Sequence, residues 1–305
     1  MYKIGLSTKK KEVNEELFKQ YAAAGIKAME LVLSEWEPLP LSFAEYKELS
    51  DKYGVEIIPL KVMLDGKEYE DGIDLDYNEF YEYLQKGKKF PKTSLPNLYK
   101  LEEKVNECIK NNDQVIILTI SSGISSTYSA IKSYFEDNND VYVIDSLSAV
   151  GGIRILINEI KKHLNKGIHF ILDKVEKLKH KIRILAVPET LDYLHKGGRL
   201  SAMGYFVGSL LRIKPLITFE NGKVKVYSKE HGMKVSMRKI SEELKNCDEN
   251  YEIVASYTHN RENLDVLVSK IDEKYKKLIE VYDDLDLAIA SHWGPNAFGF
   301  IYVEK

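Results

Sequence analysis

Cysteine is almost missing from this chain: Cys108 and Cys247 are the two it has, far apart in the sequence. Their scarcity excludes a disulfide framework and a cysteine-ligated zinc site, and it fits a reducing, cytoplasmic setting. A surplus of charge of either sign is missing too. Lysine and arginine number 44 and aspartate and glutamate 47, for a formal net charge of −3, which gives no footprint for nucleic acid or for a standing hold on an anionic membrane. No apolar run approaches membrane-spanning length. Lys9, Lys10 and Lys11 lead into Glu-rich sequence and not into an apolar stretch, so no signal peptide is expected. Repeats and low-complexity tracts are absent as well. What is left is a 305-residue chain, 44% hydrophobic and 30% charged, with the makeup of a soluble globular protein and the length for two domains.

The pattern turns on residues 115–130, VIILTISSGISSTYSA. The short β-branched apolar run at its start reads as a strand covered on both faces, as in a parallel sheet. It delivers the chain into Ser121, Ser122, Gly123, Ser125, Ser126 and Thr127, a hydroxyl-rich loop at the start of a helix. Such a loop either holds an anion on hydroxyls and free backbone N–H groups or merely caps the helix, since Ser and Thr are ordinary N-cap residues.

In chain order, a strand at 3–6 is followed by a helix with Val13, Leu17, Tyr21 and Ala24 on one stripe, then a strand at 28–33. Ser42 and Glu45 form a capping box before a helix with Phe43, Tyr46 and Leu49. A strand spans 55–62, Asp65-Gly66 is a turn, the acidic stretch 68–76 reads as a solvated loop, and Phe80, Tyr81 and Leu84 mark a helix. Thr93 and Ser94 precede Pro96, which biases the backbone before it to an extended form, and Leu98, Leu101, Val105 and Cys108 space out another helix. Beyond the hydroxyl loop, a strand at 141–144 ends at Asp145-Ser146, and Val150, Ile153, Ile157, Ile160 and Leu164 mark one long helix. Alternating strands and helices are the order of a doubly wound parallel sheet.

From Ile182 the pattern changes. A weakly amphipathic strand at 182–186 leads to a short helix with Leu191 and Leu194 ended by Gly197-Gly198, a helix at 205–211 and a strand at 213–219. Asn221-Gly222 is the strongest hairpin signal in the chain. A strand at 253–257, a helix at 264–278 and two strands bracketing His292-Trp293-Gly294-Pro295 complete it. An antiparallel pair does not belong in an all-parallel barrel. The expected fold is therefore α/β in two parts, a parallel-sheet domain over 1–178 and a mixed α/β domain over 179–305.

Three groups of residues, Lys92-Thr93-Ser94-x-Pro96, Ile120-Ser121-Ser122-Gly123-Ile124-Ser125-Ser126-Thr127-Tyr128 and Val143-Ile144-Asp145-Ser146, stand in an order that resembles the DegV family. Its members are the fatty-acid-binding B subunits of bacterial fatty acid kinase. The second half continues the likeness with Leu191-Asp192-Tyr193-Leu194-His195-Lys196-Gly197-Gly198-Arg199-Leu200, Ile213-Lys214-Pro215-Leu216 and His292-Trp293-Gly294-Pro295. The resemblance implies a DegV-like two-domain fold with a long acyl chain in a tunnel between the domains, its carboxylate held by hydroxyls. It also implies an ATP-dependent kinase subunit that docks and phosphorylates the carboxylate to an acyl phosphate. By resemblance, Thr93, Ser94, Ser121 or Ser122, Gly123, Thr127 and His292 hold the head group, and Arg199 meets the phosphate or the kinase. The chain itself is then a substrate-presenting, lipid-binding subunit and no enzyme, with no catalytic residue, metal or cofactor beyond the bound fatty acid, and with transient membrane contact at most. Three departures stand out. The first strand ends Gly5-Leu6-Ser7-Thr8 without the family's aspartate. Extra residues precede Ile57-Ile58-Pro59-Leu60, and the segment through Glu30 is similar to the opening of a sugar-phosphate isomerase barrel. Ser126 and Asn296 replace glycines usual in the family.

The chemistry is consistent with that resemblance. A buried carboxylate needs hydrogen bonds to offset its desolvation, and hydroxyls and helix-terminal N–H groups supply them with only partial charge. A bidentate arginine would instead occupy the lone pairs that must attack ATP. The tail supplies the affinity: about fourteen buried methylenes at about 0.8 kcal/mol each contribute roughly 11 kcal/mol before ordering costs. Two other functions compete. One is a serine hydrolase using Ser125, His292 and Asp145, because Gly123-Ile124-Ser125-Ser126-Thr127 falls one glycine short of a nucleophile elbow. The other is a metal-dependent sugar isomerase suggested by Glu30. Outside these functions, His292 reads as a satisfied histidine beside a turn, Arg199 as a surface residue, Asp145 as a loop support and Gly197-Gly198 as a turn.

Overall fold

The computed structural model describes residues 60–71, 74–87, 90–201 and 213–305. The elements expected before residue 60, the helix expected at 205–211 and Glu30 lie outside them. The first described unit is a small antiparallel sheet in which β1 (Lys61–Leu64) lies between β2 (Lys67–Glu70) and β3 (Lys92–Ser94). Asp65 (φ 51°) and Gly66 (φ 86°) make the two-residue turn of the β1–β2 hairpin, the left-handed geometry that matches strand twist. The acidic stretch expected to be a solvated loop is in part this second strand. The hairpin register sets Tyr69 opposite Val62 and buries it, while Lys67 and Glu68 face solvent. Helix α1 (Tyr77–Lys86) starts where the Asp76 carboxylate accepts the N–H groups of Asn78 and Glu79, ends at left-handed Gly87, and buries the expected Phe80, Tyr81 and Leu84.

Helix α2 (Leu98–Lys110), capped by Asn97, leads into β4 (Val115–Thr119), then α3 (Thr127–Tyr134), β5 (Val141–Asp145), α4 (Gly151–Lys162) and α5 (Ile168–Lys179). Strands β4 and β5 pair in parallel. All of β4 is buried because its faces feed two cores: Ile116 and Leu118 point into one, Val115 and Ile117 into another under α2 and α3. The single helix expected from Val150 to Leu164 is followed by a second, α5, which begins after Gly167 (φ 86°).

The rest is a six-stranded sheet in the order β10-β9-β11-β6-β7-β8. It is built from β6 (Ile182–Val187), β7 (Ile213–Glu220), β8 (Lys223–His231), β9 (Ile253–Tyr257), β10 (Ile279–Asp284) and β11 (Phe298–Val303). Only the β9–β10 pair is parallel within it. Asn221 (φ 49°) and Gly222 (φ 75°) form the β7–β8 turn as expected. Helices α6 (Asp192–Lys196), α7 (Met233–Glu243), α8 (Glu262–Ser269), α9 (Glu273–Lys276) and α10 (Leu287–Trp293) complete the order. The helix expected over 264–278 is two, because Asp272 starts a new one by accepting the Lys274 N–H. The two strands expected around His292 are present, with α10 between them. The fold is thus mixed α/β, a parallel unit set against a largely antiparallel sheet. Gly151 at the start of α4 lies directly on Val254 and Ile301 of that sheet, with no room for a Cβ. Among the described residues no helix is long and apolar enough to cross a membrane.

Candidate functional site

Helix α10 sets the geometry. Its first N–H groups are taken by two acidic side chains: Leu287 and Ala288 donate to Asp71 at 3.2 and 2.9 Å, and Ile289 donates to Asp286 at 2.8 Å. Asp71 stands just past β2, so the small sheet holds the start of the helix. The same sheet reaches its other end, where Thr93 on β3 brings its Oγ1 to 3.2 Å from Nε2 of His292. Thr93 and His292, 199 residues apart, are therefore neighbours.

The other ring nitrogen of His292 is buried with no hydrogen-bond partner among the described residues. It lies against Gly197 so closely that a Cβ there would collide with it. Burial, and after it the Arg199 guanidinium, push the His292 pKa down to about 3, so the ring is neutral at physiological pH. Arg199 donates from Nε to the Ile124 carbonyl at 2.8 Å and from Nη1 to the Gly197 carbonyl at 2.6 Å. It ties the turn after α6 to the hydroxyl loop, a use the surface-residue alternative does not foresee.

In the hydroxyl loop the side chains divide. Ser121 is fully buried and donates to the Gly222 carbonyl at 2.7 Å, clasping the β7–β8 turn, and Gly123 sits so close to the same carbonyl that no side chain fits. Ser122 is exposed, and its N–H donates to Asp145 at 3.1 Å. Ser125 and Thr127 share a hydroxyl–hydroxyl bond of 2.9 Å. Ser126 occupies the N-cap position of α3 without making a side-chain cap bond, so capping does not account for its hydroxyl.

These groups border a cleft of about 250 Å³ whose polar lining is Thr93, Ser94, Ser125, Ser126, Thr127, Arg199 and His292. Ser121, Ser122 and Gly123 are not on its wall. The apolar wall includes Ile120, Ile124, Leu194, Phe219, Ile289 and Trp293. Phe219, Ile289 and Trp293 also border a second space, an almost wholly apolar slot of about 30 Å³. The slot follows from one row across the sheet: Ser256 on β9 faces Gly299 on β11, which faces Ala186 on β6, and side chains this small leave a trough beneath α4 and α10.

The hydrolase constellation is not assembled. Ser125 bonds Thr127, His292 bonds Thr93, and the Asp145 carboxylate accepts the N–H groups of Ser122 and Leu147. Sequence reasoning did not find Asp71, which lay in a stretch read as solvated loop, nor the wall of Phe219, Ile289 and Trp293 that the two spaces share, which carries no sign distinguishing it from ordinary core.

Fold and site together define a mixed α/β protein with a cleft whose polar lining is hydroxyls, one neutral histidine and the Arg199 guanidinium, next to a largely apolar slot. Among known proteins this arrangement has relatives. The chain belongs to the DegV family: residues 42–305 match the family model, described as an uncharacterised protein of the DegV family. It is 30% identical over 266 residues to a DegV domain-containing protein of Caldanaerobacter subterraneus subsp. tengcongensis, covering 85% of this chain and 95% of the relative. It is also 30% identical over 261 residues to a protein of Thermotoga maritima named fatty acid-binding protein, covering 82% and 91%. The solved structure of a fatty acid binding DegV family protein from Streptococcus agalactiae superposes with a TM-score of 0.75 at 26% identity, over 83% of this chain and 92% of that one.

Proposed function

We propose that this protein binds a long-chain fatty acid, its carboxylate in the cleft and its tail in the slot. The observation that carries this reading is that the hydroxyl-lined cleft and the apolar slot share Phe219, Ile289 and Trp293 as a common wall. An amphiphile with one acidic end matches that change of lining. Thr93, Ser94, Thr127 and His292 take the head group, joined by Ser125 and Ser126, while Ser121, Ser122 and Gly123 hold the loop in shape. A slot of about 30 Å³ is far too small for a long acyl chain, so a tail enters only as the wall formed by Phe219, Ile289 and Trp293 gives way.

The further reading is that the chain is not itself an enzyme but presents the carboxylate to an ATP-dependent kinase subunit that forms the acyl phosphate. Neutral donors support it, because a carboxylate held by hydroxyls and an uncharged imidazole keeps lone pairs for attack. Nε and one N–H of Nη1 of Arg199 are committed to carbonyls, so its side-on fork is not open to the carboxylate. Arg199 stands at the cleft wall, where it stabilises developing phosphate charge or meets the kinase. We also propose the division into domains at 1–178 and 179–305, with α4 lying across the seam, a cytoplasmic location, brief membrane contact during ligand exchange, and no role for nucleic acid or a cofactor.

The test is extraction of the purified protein with organic solvent and mass spectrometry of the extract, with titration of added fatty acid alongside. The expected result is a long-chain acid near one equivalent, or saturable binding of one equivalent. Absence of both a co-purifying acyl species and binding of added acid would overturn the reading. For the kinase step, acyl-phosphate formation with an ATP-dependent kinase subunit should require the loaded protein; equal turnover of free fatty acid without it refutes presentation.

A further inference from the structure

Ser256 is out of place. It is the fourth residue of β9, a strand whose five residues are all buried, on the face it shares with Val254 and away from Ile253, Ala255 and Tyr257. Its side chain borders the slot, whose remaining wall among the described residues is hydrocarbon and backbone apart from the Trp293 indole. The residue is 5% exposed, and its hydroxyl has no hydrogen-bond partner among the described residues. A buried hydroxyl without a partner is costly, and replacing it by a methyl of the same shape is close to neutral. Alanine, which stands in the same cross-strand row at Ala186, would serve a purely apolar tail better. Of the two strands beside it, β11 contributes Gly299, which has no side chain to offer an acceptor, and β10 sets Asp283 in register, yet the hydroxyl bonds neither; Ala149, Ala297 and Ile289 around it are aliphatic.

We infer that Ser256 makes the slot selective for an acyl chain bearing a hydroxyl part-way along its length over the unsubstituted saturated chain. The inference rests on the fatty-acid reading above. A saturated tail lying over Ser256 would leave its hydroxyl unpaired in hydrocarbon. A chain hydroxyl at the same depth exchanges a hydrogen bond with it, each group satisfying the other away from water. Ser256 borders the slot and not the cleft that holds Thr93 and His292, the two spaces meeting at Phe219, Ile289 and Trp293, so the recognised group is removed from the carboxylate and does not compete for Thr93.

The probes are octadecanoic acid and the hydroxyoctadecanoic acids substituted at successive mid-chain carbons, titrated into delipidated wild-type protein and Ser256→Ala. The wild type should bind one of the hydroxy acids on the order of tenfold more tightly than the saturated acid, in line with the cost of an unpaired buried hydroxyl. Ser256→Ala should lose that preference, chiefly by gaining affinity for the saturated acid. Its melting temperature without ligand should equal or exceed that of the wild type, whereas loss of a structural hydrogen bond would lower it. A wild type that prefers the saturated acid over every hydroxy acid, or a preference that Ser256→Ala keeps, overturns the assignment while leaving fatty-acid binding intact. Failure of both proteins to bind any acyl chain overturns the two together.

Discussion

His292 gives the sharpest test of the head-group geometry, because its neutrality links the cleft to pH. Its pKa is pushed down to about 3 from 6.5, first by burial and then by the Arg199 charge. In the unfolded chain the ring takes up a proton near 6.5; in the folded protein it does not until far lower. Unfolding therefore binds a proton throughout that interval, and stability falls as pH falls through it. The contribution is fully present above about 6.5 and declines at up to about 1.4 kcal/mol per pH unit below it. Between pH 7.5 and 4.5 the loss from this one ring is about 2.5 kcal/mol. Urea unfolding of wild type and His292→Gln over that range isolates the effect, since the other titrating groups are common to both. The wild-type stability should drop more steeply by that amount, and imidazole resonances should report an uncharged ring at pH 5. Parallel pH profiles for the two proteins would refute the buried, neutral histidine and the way the small sheet and Arg199 enclose it.

Thr93→Val removes the hydroxyl that meets His292 and should weaken binding of a fatty acid by about 1 kcal/mol while leaving affinity for its methyl ester less changed; unaltered acid binding counts against the neutral-donor site. Gly197→Ala introduces a Cβ against Nδ1 of His292 and should destabilise the protein by about 1–3 kcal/mol, measured by chemical denaturation; a neutral effect would mean the turn after α6 does not brace the ring. Asp71→Ala strips two helix N–H groups of a buried acceptor and should cost about 1–3 kcal/mol, with earlier amide exchange at Leu287 and Ala288 as its local sign.

Much of the architecture was open to reading because it rests on local rules. Asp65-Gly66 and Asn221-Gly222 turn the chain where their left-handed preference says they must, and the aliphatic run at 115–119 is covered on both faces. The pairing of Thr93 with His292 was reached through family resemblance and motif order, since nothing local links residues that far apart. Where reading failed, tertiary context decided. Lys67–Glu70 has three charged residues of four and looks like loop, yet a hairpin register buries Tyr69 and makes it a strand. Ser121 and Thr127 look alike in sequence, but one clasps Gly222 and the other lines the cleft. Which hydroxyl does which depends on where the β7–β8 turn lands, and no property of the loop itself encodes that.

One helix face joins the two ends of the cleft. Ile289, His292 and Trp293 stand at positions i, i+3 and i+4 of α10, along one stripe, so a single element carries His292 and two of the three residues that the cleft and the slot share. If the proposed tail enters by displacing Ile289 or Trp293, a helix fixed at its start by Asp71 yields only by tilting His292 against Thr93. Binding energy for the two ends is therefore not separable. A double-mutant cycle between Thr93→Val and Trp293→Phe, read as fatty-acid affinity, should show a coupling of about 0.5 kcal/mol or more, although the two side chains belong to different ends of the ligand. If the effects simply add, the helix does not transmit tail entry to the head group, and the slot opens by side-chain rotation alone.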